Sequence, residues 1–287
     1  MRRYLAPILA IAACSPLTPY RASVAVPAAA PPHRVGAPIG AGEAAVGAWA
    51  SRQLLGPADL VPMAGDPGLW IPAWSAGANV RYGVGTSVEI GGGVEISPRG
   101  GWQRSATGVF AIPGDAPMLA ASAQVTAGHM WGPFGFGGTV DFGWMSLPHA
   151  TWRLNDLEDA GGLADGDGAG AYHLTKQSHL NTFRVRLGSA FTWRLRDVLE
   201  LDAGWFLTPL LTNEGFSYSE PAPIQLGGLA IGPVLRVEVR PVPQLGLGLQ
   251  THFGFGAATV TGVDTGFGTQ AFANVRFGPS TRRAAPP

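Results

Sequence analysis

TFRVRLGSAFTWRLRDVLELDAGWFLT, residues Thr182–Thr208, sorts its side chains into two sets by strict alternation. Phe183, Val185, Leu187, Phe191, Trp193 and Leu195 fall on one side of an extended chain, and Thr182, Arg184, Arg186, Gly188, Ala190, Thr192 and Arg194 on the other. Arg196-Asp197 makes a turn. The returning arm sets Leu199, Leu201, Ala203, Trp205 and Leu207 against Glu200, Asp202, Gly204 and Thr208. A repeat of two is that of a β-strand, so the stretch predicts a β-hairpin. Each arm supplies the roughly 9–11 residues that a tilted strand needs to cross a bilayer, and carries aromatics towards its ends.

The same rhythm spreads outward from the hairpin. Before it, strands are expected over Trp70–Val84, Ser87–Ser97, Trp102–Ile112, Met118–Trp131 and Phe134–Leu147; after it, over Leu226–Arg240, Leu245–Val260 and Phe267–Phe277. Val88, Ile90, Val94 and Ile96 oppose Glu89 and Glu95. Phe134, Phe136, Val140, Phe142 and Trp144 oppose Thr139 and Asp141, and Leu229, Ile231, Val237 and Val239 oppose Arg236, Glu238 and Arg240. In Met118–Trp131 Ala and Ser dominate and fix no register. The pattern predicts an all-β fold, an antiparallel up-and-down transmembrane β-barrel of about ten strands over residues 70–278, with twelve as the alternative. Residues 39–69 hold a weakly alternating candidate strand, GAGEAAVGAWAS at Gly40–Ser51, and a proline-bearing loop. Residues 279–287 are a tail.

Composition agrees with this class. Glycine makes up 42 of 287 residues, twice the usual share of roughly 7%, and charged residues fall to 13% where roughly 25% is typical. No run of about 18 apolar residues offers a spanning helix, so any crossing must use strands. The longest break in the rhythm, 148–179, is acidic and glycine-rich, and barrels in outer membranes keep their long loops outside. Its Asp156, Glu158, Asp159, Asp165 and Asp167 include Asp165-Gly-Asp167-Gly, which lacks the full spacing and terminal Glu of a calcium loop and reads as a solvated acidic loop.

The N-terminus has Arg2 and Arg3 before a short apolar run, Tyr4 to Ala13, which reads as a secretory signal over residues 1–13. It closes on Ile11-Ala12-Ala13-Cys14, which resembles the lipobox of bacterial lipoproteins. That resemblance implies lipidation of Cys14, the single cysteine, as the mature N-terminus, and Ser15 after it implies sorting to the outer membrane. Residues 14–38, rich in Pro and Ala, read as a lipidated mobile tether. The chain as a whole resembles a bacterial outer-membrane β-barrel lipoprotein. An even strand number would leave both chain ends in the periplasm, where a lipid in the inner leaflet could hold the N-terminus.

With the apolar faces towards lipid, the other faces line a lumen. Its charges include Arg184, Arg186, Arg236, Glu89, Glu95, Asp141, Glu200, Asp202 and Glu238, with Arg81, Arg194, Arg240 and Arg276 beside them. Near balance of sign predicts ion pairs across a narrow interior, because buried charges persist only when partnered. Removing residues 1–13 leaves 17 basic against 19 acidic residues with no basic patch, which excludes a nucleic-acid partner. No cofactor or metal motif occurs, and His129, His149, His173, His179 and His252 form no catalytic pattern. The sequence thus points to a structural, surface-interaction or narrow-transport barrel whose partners are outer-membrane lipids and a covalent lipid at Cys14. A lipid-modifying barrel enzyme and a lipid-tethered soluble ligand-binding barrel are the alternatives.

Overall fold

The computed structural model describes residues 20–25, 30–55, 68–97, 102–104, 117–154, 172–196, 198–211, 216–217, 223–224, 227–258 and 262–278. In chain order its strands are β1 (Tyr20–Ala25), β2 (Ala44–Leu55), β3 (Gly68–Pro72), β4 (Trp74–Gly83), β5 (Val88–Ser97), β6 (Trp102–Arg104), β7 (Met118–Trp131), β8 (Phe134–Leu154), β9 (Tyr172–Leu195), β10 (Leu199–Leu211), β11 (Phe216–Ser217), β12 (Pro223–Ile224), β13 (Gly227–Val242), β14 (Leu245–Ala258) and β15 (Gly262–Phe277).

Ten of them close a ring. Going round it, β2, β4, β5, β7, β8, β9, β10, β13, β14 and β15 each pair antiparallel with the next, and β15 returns to β2 through Phe277↔Ala44 to Gly266↔Leu55. Closure leaves no free edge in the wall, which is what lets a sheet sit in hydrocarbon. Short turns at 84–87, 132–133, 196–198 and 243–244 gather at one end, the turn end; the longer connections leave from the other, the loop end. There β8 and β9 continue as a long hairpin to Leu154↔Tyr172, and β1, β3 and β6 extend the sheet sideways from β8 at His149–Arg153.

The strand number agrees with the sequence reading, but the membership differs. The weak alternation of Gly40–Ser51 leaves open whether it lies outside the wall or joins a twelve-stranded one; Ala44–Leu55 is a complete strand of the ten-stranded wall. Its outward side is Ala44, Val46, Ala48 and Ala50, and its inward side includes Ala45 and Gly47, so the two faces differ little in polarity. Conversely, Trp102–Arg104, the described part of the expected strand Trp102–Ile112, is no part of the wall. β5 pairs directly with β7 from Val88↔Ala127 to Ser97↔Met118, Trp102–Arg104 pairs with β3 instead, and residues 105–112 lie outside the described set. The expected strand Trp70–Val84 divides at Ala73 into β3, off the wall, and β4, within it. The expected loop 148–179 is narrower than its sequence suggested, because Pro148–Leu154 and Tyr172–His179 remain paired; its five acids lie outside the described residues.

Inside and outside are inverted relative to a soluble protein. Val94, Phe142, Phe183, Phe191, Trp205, Leu235, Leu249 and Phe277 are exposed on the outer wall, Phe191 by 69%, while Glu200, Asp202 and Glu238 inside have no exposure. A soluble domain rarely exposes a continuous apolar surface of more than a few hundred Å². An apolar belt wrapped round a closed barrel with a polar interior is the surface of a transmembrane barrel, and it excludes the soluble ligand-binding barrel. Trp74, Trp131, Trp144 and Trp205 belong to this outer surface, and Trp74 lies under the Arg52 guanidinium at 5.1 Å.

Candidate functional site: the lumen and the segment that fills it

The interior is occupied by the chain itself. Residues 31–39, read from composition as part of a mobile tether, are buried within the barrel, with Val35 and Ala37 wholly inaccessible. Pro31-Pro32 keeps this stretch from helix and from ladder pairing, so its backbone groups must find partners in the wall. They do so in order from the loop end to the turn end. Thr208 Oγ1 donates to the Ala30 carbonyl (2.9 Å) and Gln250 Nε2 to that of Pro32 (3.1 Å). Lower down, the Ala37 N–H donates to Thr192 Oγ1 (2.8 Å) and that of Ile39 to Glu89 Oε2 (3.0 Å). Gly40 N–H donates to Glu43 Oε2 (2.8 Å), where the chain turns into β2. A linker composition therefore conceals a plug, because an extended, non-repeating segment is ordered here by side chains far away in sequence.

Glycines clear its path. A Cβ at Gly137 would collide with the Gly36 carbonyl, one at Gly83 with that of Gly40, and one at Gly188 would lie 2.6 Å from Val35 Cγ1. Gly36 has φ +98°, a left-handed conformation open to glycine, and passes close to Asp202 and Thr192. Beside it Val35 packs in a small apolar cluster with Ala190, Phe206, Ala230 and Val234. Phe206 sits on the face otherwise given to Glu200, Asp202 and Thr208. An apolar ring in a polar row was the sequence signal that something apolar fills the lumen, and the sequence reading missed it, as it missed Trp49 and Phe272.

Of the nine charged residues named from the sequence for the lumen, Glu89, Asp141, Arg184, Arg186, Glu200, Asp202, Arg236 and Glu238 are buried, and Glu95 is half-buried. Towards the turn end Glu200 is the hub. It accepts from Arg194 Nη2 (2.7 Å), Arg240 Nη2 (2.6 Å) and Arg236 Nη1 (3.2 Å), and pairs with Arg34 Nη2 of the plug (3.2 Å). Asp202 accepts from Arg236 Nη1 (2.9 Å) and Thr192 Oγ1 (2.6 Å). Glu238 holds Arg236 Nη2, Arg240 Nε (2.9 Å) and Arg276 Nη2 (2.8 Å). Across the lumen Glu89 pairs with Arg81 (3.5 Å) and lies 3.8 Å from Arg34 Nε. Arg34 thus joins two walls that no strand ladder connects.

A second group lies nearer the loop end. Arg186 donates to Asp141 through Nε (3.2 Å) and Nη2 (2.9 Å), and Arg184 Nη2 to Glu95 (2.8 Å). His33 of the plug stands 3.9 Å from Glu95 and stacks on Trp49, with ring centroids 4.1 Å apart. The cavities described beside the plug are small. Cavities beside the plug measure about 20 Å³ near His33, Trp49 and Gln270, and about 10 Å³ near Arg34, Arg81 and Asn274, room for about one water or less. Among the described residues no group of His, Cys, Asp or Glu could hold a metal ion. Cys14 lies outside the described residues.

No family model matches the chain, and no curated protein does. Solved structures with a similar strand arrangement include the N-terminal β-barrel domain of Pseudomonas aeruginosa OprF, at 9% identity over 82% of this chain and 99% of that one, TM-score 0.31. The outer membrane protease OmpT from Escherichia coli matches at 9% identity over 83% and 96%, TM-score 0.39. Ail, the attachment invasion locus protein of Yersinia pestis, matches at 9% over 83% and 99%, TM-score 0.30. At these scores the barrel assignment rests on this chain's own closed strand pairing.

Proposed function

We propose that this protein is a bacterial outer-membrane barrel lipoprotein with a self-plugged lumen, acting as a structural or surface-interaction element rather than as an open pore. The observation that carries this reading is the passage of residues 30–40 through the lumen, where Arg34 meets Glu200 and Glu89 and Val35 meets Ala190 and Phe206. A ten-stranded wall is already narrow beside porins of 16–18 strands, and among the described residues the ordered chain inside it leaves beside it cavities of only about 20 and 10 Å³ near His33 and Arg34. The bacterial outer membrane is the home of strand-built barrels with short turns on one side and long loops on the other. Cys14, at the end of a lipobox-like leader, is the proposed acylation site.

Planar-bilayer recording from the purified full chain tests the plug. Little steady conductance is expected; large, steady conductance would overturn the closed reading and favour narrow transport. An independent check joins plug to wall. In a Cys14→Ser background, the pair Val35→Cys and Gly188→Cys should form a disulfide under mild oxidation, since a Cβ added at Gly188 would lie 2.6 Å from Val35 Cγ1. No crosslink in the inserted protein would show that the segment is elsewhere.

A further inference from the structure

The direction of the plug has a consequence for the membrane. Residues 30–43 descend from Thr208 and Gln250 to Glu43 and the turn-end residue Gly83, so the chain enters the lumen from the loop end. Immediately before this, Tyr20–Ala25 is paired with His149–Arg153, on the part of β8 that rises towards the loop end. The wall's ten strands would by themselves put both of its ends at the turn end. The plug reverses that for the N-terminus, which is carried back through the barrel's interior.

We infer that the N-terminal end of this protein is displayed on the same side of the membrane as the long loops, threaded there through the lumen of its own barrel. Resting on the outer-membrane reading, this side is the cell surface. It also assigns the leaflet of the anchor. Five residues lie between Cys14 and Tyr20, and the six residue steps from one to the other span at most about 22 Å at roughly 3.3–3.6 Å per residue. A hydrocarbon core is about 30 Å thick. An acyl group on Cys14 can therefore reach the loop-side leaflet and cannot return to the opposite one. The expectation of an inner-leaflet anchor, drawn from the even strand number, is replaced by one in the outer leaflet. The lipid and the barrel then form one surface-facing unit, with β1, β3 and β6 as a ledge between them.

The test uses an impermeant maleimide on intact cells carrying one of three single substitutions in the full chain: Ala29→Cys ahead of the plug, Gly168→Cys in the long loop, or Gly132→Cys in a turn. Acylation blocks the Cys14 thiol, and the intact mass of each purified protein reports it. Ala29→Cys is expected to label together with Gly168→Cys, at least tenfold above Gly132→Cys, which should label only after permeabilisation. If Ala29→Cys instead labels only with Gly132→Cys, the inference is overturned while the barrel's orientation stands. Labelling of Gly132→Cys and not of Gly168→Cys on intact cells would invert the barrel and sink both readings. A mass without lipid would remove the anchor, and reactivity of Cys14 in the unsubstituted protein would then report which side it occupies.

Discussion

The two halves of the lumen are built by the same strands and held by different chemistry. Towards the turn end, Glu200, Asp202, Glu238 and Glu89 face Arg34, Arg81, Arg236, Arg240 and Arg276 in a connected net, and the plug lies within it. Above Glu95 and Arg184 the buried polar residues among those described are uncharged, Ser51, Gln53, Ser75, Ser146 and Thr182, with contacts such as Ser51 Oγ to Ser75 Oγ (3.1 Å) and Ser146 Oγ to His179 Nδ1 (3.1 Å). A buried charge left without its partner is far costlier than a hydroxyl that water can reach. The difference teaches where the barrel is sealed: the turn end holds its shape through charges that cannot separate, while the loop end can admit water without large cost.

The strongest way to break this comparison is to remove the hub. Glu200→Ala together with Asp202→Ala takes carboxylates from Arg34, Arg194, Arg236 and Arg240 at once, and breaking a buried pair costs about 3–5 kcal/mol. The double variant should lose at least that much in urea unfolding from lipid vesicles, or fail to insert. Stability equal to the parent would show that water, not carboxylates, solvates these guanidinium groups.

A smaller effect is expected where the plug touches the wall without charge. Gly188→Leu would drive a side chain into Val35 and Pro32, and overpacking of this kind costs about 1–3 kcal/mol. The loss should appear with a gain in conductance, as the plug is displaced from Ala190 and Phe206. Destabilisation with no gain in conductance would separate the seal from this contact and leave it with Arg34.

Much of this was legible in the alternation of Arg184 and Arg186 against Phe183 and Val185, and of Glu238 against Val237, because a strand with lipid on one side and charge on the other has strong contrast. β2 escaped for the opposite reason, since Ala and Gly occupy both of its faces and its identity comes only from its neighbours β15 and β4. The plug was hidden more deeply. Pro31-Pro32-His33-Arg34-Val35 has no period to detect, and its order is imposed by Thr208, Gln250, Thr192 and Glu89, residues up to 218 positions away. What could have revealed it lies in the wall: Trp49, Phe206 and Phe272 on lumen faces, next to inward glycines such as Gly137 and Gly188.

The smallest expected effect belongs to the neutral half. Ser51 and Ser75 are both buried and hydrogen-bond to each other across β2 and β4, above the region where the plug is gripped. A single Ser51→Ala removes that bond, worth about 0.5–1.5 kcal/mol, and leaves the Ser75 hydroxyl to find water. Replacing both residues takes away donor and acceptor together, so the double variant should be no less stable than the single one. If the loop half is as open to water as its chemistry suggests, neither variant should change conductance, because the seal lies below. A loss of several kcal/mol from Ser51→Ala would mean that this half is as dry and as tightly coupled as the charged half, and the contrast between the two would fail.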